Sequence, residues 1–481
     1  MKKNSTSSRR DFLKATGALA AGATLVGSLS LGRSAHAAGS DLIKVALVGC
    51  GGRGSGAIRD RLQVGDNAKL VSVSDALDRA AGVARGLREE NNNDDSPCKG
   101  KIDLPDERVF VGFDAYRKAI DCLSPGDHVL ITATPGFRPF HYRYAIEKGC
   151  NVFMEKPLFT DSPGYRHVME TNKMADDKGL KVCVGLQRRY EAHYYNWAKQ
   201  IADGKIGDIS FTRVYWNGGG IWCHGRNKGE TEMMYQMRNW YHFVWLCGDN
   251  ICEQHVHNLD IGNWVHGKGD PMAHPVTANA QGGRQVPACP EDIRRTAPPY
   301  ADQEAWWEWY GKHRGACPRY GQAWDHFFVE FTYPDGSKMF SQCRHIANCW
   351  DNVSEHVHGT NGHGGPGWLN DREGKNIWRN EERVPKGPYQ WEHDCQVKAI
   401  REDLPMNDGY FAANATMIAV FGRLAAFSGK ELSWDDAVSK GKAYVPAEET
   451  LAWEANPPVM PDEDGFYEKS VAKQGIYNPF E

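Results

Sequence analysis

IKVALVGCGGRGSGAIRDRL, Ile43 to Leu62, passes from a buried-strand pattern through a glycine turn into a helix. Gly49, Gly51 and Gly54 satisfy G-x-G-x-x-G, with Gly52 and Arg53 in the same turn. The first glycine permits the tight turn, the second lets backbone approach a pyrophosphate, and the third lets the helix pack close to the strand. Phosphates would then meet free N–H groups at a helix start. A glycine-rich turn alone is a weak signal, so its surroundings decide. KLVSVSD, Lys69 to Asp75, reads as a second strand ending on an acid. That acid falls about 20 residues past the last glycine, as a dinucleotide fingerprint requires. Asp75 would bind adenine-ribose hydroxyls and repel a 2′-phosphate, which favours NAD; Arg79 keeps NADP open.

The same alternation continues. HVLITATP ends at Thr134-Pro135, HYRYAIEKGC reads as a helix, and NVFMEKP is a further apolar strand ending in Glu155-Lys156-Pro157. Strand and helix signals in turn predict a doubly wound parallel sheet covered on both faces. Its ligand belongs outside the carboxyl ends of the strands, where Gly49, Asp75, Thr134, Pro135, Glu155 and Lys156 fall. The fold class is therefore α/β for the first domain, taken as residues 41–160.

The 481 residues suffice for two domains. A net charge of -4, with no basic stripe after the N-terminus, gives no reason to expect nucleic-acid binding. Thirteen cysteines, scattered singly, argue against a disulfide framework. Sixteen tryptophans and nineteen tyrosines suit core packing, and also sugar-like ligands whose C–H faces stack on rings. Residues 1–38 resemble a twin-arginine export signal: Ser8-Arg9-Arg10-Asp11-Phe12-Leu13-Lys14, a short Ala/Gly/Leu run, then Ala35-His36-Ala37. The expected location is extracytoplasmic or periplasmic, the protein is expected to be soluble there, and the export machinery is a partner.

Several motifs together resemble the glucose–fructose oxidoreductase / inositol dehydrogenase / MocA (Gfo/Idh/MocA) family. They are the glycine turn, the acid after the second strand, T-P after the fourth and E-K-P after the fifth. VGLQRRY (Val184–Tyr190), CEQHVHNLD (Cys252–Asp260) and GRLAAFSGKELSWDD (Gly422–Asp436) extend the likeness from Ile43 to Thr450. The resemblance implies an α+β second domain (161–450) with a large, mostly antiparallel sheet, one face over the nicotinamide and the other often a dimer interface. It implies a homo-oligomer, a dimer or tetramer. Residues 451–481 read as an extended tail, and 266–320 and 359–388 as long irregular insertions.

CEQHVHNLD has three readings. His255 and His257, with a second His-Val-His at His356–His358, suggest a metal site, but in a helix i and i+2 diverge. His257 as an interior structural histidine is the second. In the third, Glu253, His257 and Asp260 share a helix face at i, i+4 and i+7, and the family likeness places its catalytic histidine at His257 with acids at the flanking positions. The third is preferred, with no metal. Moving a hydride from a carbinol carbon requires removal of the hydroxyl proton, and imidazole titrates in the right range. His257 is then the acid/base, Lys156 the polariser of the carbinol oxygen, and Glu253 the orienting acid. Asp260, Arg188, Arg238 and Trp240 are expected to contact substrate. The resulting expectation is an exported NAD(P)-dependent oxidoreductase acting on a CH–OH group of a sugar, inositol, other polyol or glycoside, with a tightly held cofactor. The rivals are an NAD-dependent glycosidase and a non-catalytic sugar or nucleotide binder.

Overall fold

The computed structural model describes residues 41–285, 290–313 and 321–481; the export-signal reading lies outside the described residues. Six strands form the first sheet: β1 (Ile43–Val48), β2 (Ala68–Asp75), β3 (Val109–Val111), β4 (His128–Ile131), β5 (Asn151–Met154) and β6 (Val182–Val184). All pair in parallel, in the order β3-β2-β1-β4-β5-β6. Every residue of β4 and β5 is buried, as helices on both faces of a parallel sheet require. The strand order reverses between β1 and β4, and the crevice at their carboxyl ends is the expected ligand position. β6 lies beyond residue 160, so a boundary drawn there cuts this sheet; β6 pairs along β5 and belongs to it.

The second sheet has nine strands: β7 (Ile209–Gly218), β8 (Thr277–Gly283), β9 (His326–Thr332), β10 (Lys338–His345), β11 (Asn352–Gly359), β12 (Gly362–Gly365), β13 (Trp368–Asp371), β14 (Asn376–Arg379) and β15 (Leu432–Ser433). Every pairing is antiparallel except that of β7 with β10. The β9–β10 hairpin turns at Asp335-Gly336, with Gly336 at φ 82°, as the Asp-Gly signal predicts.

The two stretches read as irregular are partly regular. The first supplies β8 and the helix Gln303–His313; the second supplies β12, β13 and β14. Glycine clusters misled because they usually mark loops. Here they serve close backbone approach: a Cβ on Gly362 would lie 2.2 Å from Asn370 O, and one on Gly364 2.3 Å from Trp368 O.

The helix Gly409–Ser428 is the one described helix long and apolar enough to cross a membrane, and 94% of its apolar window is buried in the core. Its fully buried Arg423 donates to the carbonyls of Thr160 and Gly248, each at 2.8 Å, and so joins the two domains. The C-terminal segment is not free. Phe466 and Tyr467 are buried in an aromatic cluster with Tyr235, Trp245 and Trp306. Upstream, Glu448 accepts from Arg117 at 2.8 Å and from the hydroxyl of Tyr116, and Trp453 meets Phe113 with ring centroids 4.5 Å apart.

Candidate active site

The carboxyl ends of β1, β2, β4 and β5 open into a cavity of about 740 Å³ that the second domain walls on its other side. Gly49, the residue after β1, has φ 99°, and a Cβ on it would lie 2.4 Å from Ala133 N. A Cβ on Gly54 would lie 2.1 Å from Gly49 O. The first lets the turn pass close to the chain that follows β4, and the second lets the helix touch the strand. Gly51 and Gly52 instead face open space: the nearest atom to a Cβ on Gly51 is an Arg79 nitrogen at 3.6 Å, and Gly52 has nothing within 4 Å. The helix Gly52–Gln63 starts with no side-chain cap and no acid in its first turn. Its unpaired N–H groups fit a phosphate. Thr134 Oγ1, beyond β4, is a buried polar atom without a protein partner in the same lining.

Asp75 lines the cavity at the end of β2, and its oxygens accept from Cys50 N at 2.7 Å and Leu77 N at 2.8 Å. Each retains a lone pair for a ribose hydroxyl. Arg79 Nε stands 3.5 Å away. Pro135 also lines the cavity. Arg53 does too, but its guanidinium is committed to Glu155, to Glu392 at 3.0 Å and to Asp60 at 3.5 Å.

At the centre, Lys156 Nζ donates to Glu253 Oε1 at 3.1 Å and to Glu253 O at 2.6 Å, in an ion pair whose side chains are only 11% and 10% exposed. The spacing assigned Glu253 to His257; the structure gives it to Lys156 instead. The helix Asn250–Glu253 stops before a new one, Val256–His266, begins, so the shared face of i and i+4 is interrupted. His257 stacks on Trp216 at 6.0 Å and lines the cavity. Its Nδ1 is buried without a protein partner. Burial first, then the charges of Lys156, Arg188 and Arg53, push its pKa well below the usual imidazole value. His255 turns away to bond Ser341 at 2.8 Å, so the two imidazoles diverge as helical spacing predicts.

Of the expected substrate contacts, Arg188, Arg238 and Trp240 line the cavity. Arg188 is held by the buried Glu355, and Arg238 by Glu230 at 2.6 Å. Asp260 is a correction: it is 1% exposed and outside the lining, and Arg189 grips both its oxygens at 2.8–3.0 Å. Asp260→Ala strips the largely covered Arg189 guanidinium of its counter-ion, so it is expected to lower stability by about 3 kcal/mol. Urea unfolding reads that loss.

Sequence reasoning missed Trp216, Trp222, Gln254 and Tyr389, and also Glu448 and Leu451 from the C-terminal segment, all in the lining. The alternation along β7 carried a signal for Trp216. For Glu448 and Leu451 no local signal exists.

Residues 43–186 match the model of an oxidoreductase family with an NAD-binding Rossmann fold, Gfo/Idh/MocA. This segment belongs to that family. Residues 6–26 match the twin-arginine translocation signal sequence. Inositol 2-dehydrogenase 3 of Saccharopolyspora erythraea is 31% identical over 224 residues, 46% of this chain and 53% of the relative. The chain thus spans about half the length of the curated relatives it matches. Among solved structures, aldose-aldose oxidoreductase of Caulobacter crescentus superposes at TM-score 0.56 and 15% identity, covering 81% of this chain and 99% of that one. Scyllo-inositol dehydrogenase of Lactobacillus casei, with NAD(H) and scyllo-inositol bound, superposes at TM-score 0.53 and 17% identity, covering 82% and 99%. These two likenesses concern the fold. The Gfo/Idh/MocA segment supplies the glycine turn, Asp75 and Lys156, while His257 and Glu253 come from the domain beyond it.

His257 gives a pH prediction whose sign is fixed. Its folded pKa lies below the ordinary 6.5, so below pH 6.5 the unfolded chain binds a proton that the native state refuses. The stability is present above pH 6.5 and is lost as pH falls toward the folded value. Between pH 7 and pH 5 the wild type is expected to lose about 2 kcal/mol more than His257→Gln, read by urea unfolding of both proteins.

Proposed function

We propose that this chain is an exported NAD-dependent oxidoreductase that acts on a CH–OH group of a sugar, polyol or glycoside and holds its cofactor tightly. One observation carries the reading: Lys156 from the first domain and His257 from the second line one cavity with the open glycine turn. Bound NAD would supply the two-electron acceptor. Gly49, Gly51, Gly52 and Gly54 would seat its phosphates, Thr134 and Pro135 would flank it, and Asp75 would take the adenine ribose, favouring NAD over NADP. Lys156, positioned by Glu253, stabilises negative charge developing on the carbinol oxygen. His257, neutral where it sits, accepts the hydroxyl proton. Once protonated it is repelled by Lys156 and Arg188, so it returns the proton readily. The twin-arginine match supports export of the folded protein to the periplasm or an equivalent extracytoplasmic space. A dimer would use the outer face of the nine-stranded sheet, where Phe328 and, against Tyr215, Trp350 are exposed.

The test uses mature protein purified without added nucleotide. It is expected to release NAD on denaturation, in near-stoichiometric amount, and to oxidise at least one member of a sugar, polyol and glycoside panel. Protein that neither releases NAD nor binds it when added overturns the reading.

A further inference from the structure

Trp222 lines the cavity but plays no part in the chemistry above. It is 44% exposed and sits in an irregular loop between β7 and the helix Glu232–Arg238. That loop is firmly held. The carbonyl of Trp222 accepts from His242 Nε2 at 2.7 Å. Two residues on, the fully buried Asn239 clamps both backbone groups of His224, taking its N–H at 2.7 Å and donating to its carbonyl at 3.1 Å. Further along, buried Arg226 is fixed by Glu232 at 2.9 Å and Tyr467 at 2.8 Å. An apolar ring left in water by a mobile loop would mean little. An indole presented by a backbone stapled at three points is a preorganised surface.

Its position says what that surface faces. The ring centroid of Trp222 lies 6.1 Å from Trp240 and 6.5 Å from Tyr241. The Tyr241 phenol is pushed up by burial and then by the charge of Glu253, and Glu253 holds Lys156. Trp222 and the Lys156–Glu253 pair thus line one cavity, with the buried Tyr241 neighbouring both. Among the described residues none of its ring neighbours lies parallel to it, the interplanar angles being 38°, 61°, 72° and 86°. Arg238, which lines the same cavity and is held by Glu230 at 2.6 Å, supplies guanidinium N–H groups for substrate hydroxyls.

We propose that Trp222 is the platform for a second ring of the substrate, so that the favoured substrate is a glycoside or short oligosaccharide whose reacting ring sits at Lys156. The inference rests on the oxidoreductase reading and narrows its substrate class. Indole offers a flat apolar face to the C–H side of a pyranose, while the ring's hydroxyls stay in water or reach the rim.

The test compares carbohydrates that share a terminal ring: glucose against cellobiose and maltose, and galactose against lactose, on NAD-loaded protein. Binding is read by indole fluorescence and turnover by nicotinamide absorbance. Two-ring sugars are expected to bind about tenfold more tightly than their one-ring counterparts. Trp222→Ala should remove that preference by raising KM for the two-ring sugar, with kcat on the one-ring sugar unchanged, and Trp222→Phe should keep most of it. Equal affinity for both kinds in the wild type, or an unchanged ratio in Trp222→Ala, overturns the platform and leaves the oxidoreductase reading intact. Failure of every sugar to bind overturns the platform, and failure of the whole sugar, polyol and glycoside panel to react overturns both.

Discussion

Lys156→Met is expected to lower kcat by about 10²–10³-fold while the protein keeps its nucleotide. The ammonium is nearly enclosed, fixed by a carboxylate and a carbonyl of Glu253, and stands where β5 ends in the cavity. No reorganisation is needed when charge develops beside it, which is why its removal should act on the rate. The single substitution also leaves Glu253 buried without its partner, a loss of about 3 kcal/mol in stability. Lys156→Met/Glu253→Gln separates the two effects: stability should return and rate should not. Nucleotide content and single-turnover rate, measured on the same samples, read both. A Lys156→Met enzyme with wild-type kcat would remove the lysine from the chemistry.

Gly54→Ala is expected to be severely damaging. The new Cβ would lie 2.1 Å from Gly49 O and 2.5 Å from Thr132 Oγ1, atoms already bonded to each other at 2.6 Å. Neither can retreat, so the helix must lift from the strand. Alanine's helix preference over glycine, about 1 kcal/mol, does not offset an overlap of that depth. A net loss of about 3 kcal/mol, or failure to fold, is the expected result in thermal and urea unfolding. Gly51→Ala is the contrast, since its Cβ would meet protein only at 3.6 Å. That variant should fold normally and bind NAD at least about tenfold more weakly, as its methyl enters the space proposed for the phosphates.

The pair shows how far the sequence carries. Gly49, Gly54 and Asp75 act locally, within one strand–turn–helix unit and its neighbour, and their spacing announces them. The parallel sheet follows from the same short-range alternation, and the Asp335-Gly336 hairpin from its turn. What stayed hidden is pairing at a distance. Lys156 with Glu253, Arg189 with Asp260 and Arg188 with Glu355 join residues 97, 71 and 167 positions apart. Nothing in a single stretch shows which acid a cation will choose. The break between Asn250–Glu253 and Val256–His266 then undid the one local rule that linked Glu253 to His257. Strands β12 to β14 were missed for a related reason, because glycines serving close backbone contact are written with the same letter as glycines that turn a loop.

The docked C-terminal segment has a kinetic meaning. Glu448 and Leu451 border the cavity at the side of Gly112, Phe113 and Tyr116, and Phe466 and Tyr467 anchor the chain further on. A guest seated there would pass the Arg117–Glu448 pair and Leu451 on leaving, so loosening that segment is expected to shorten its stay.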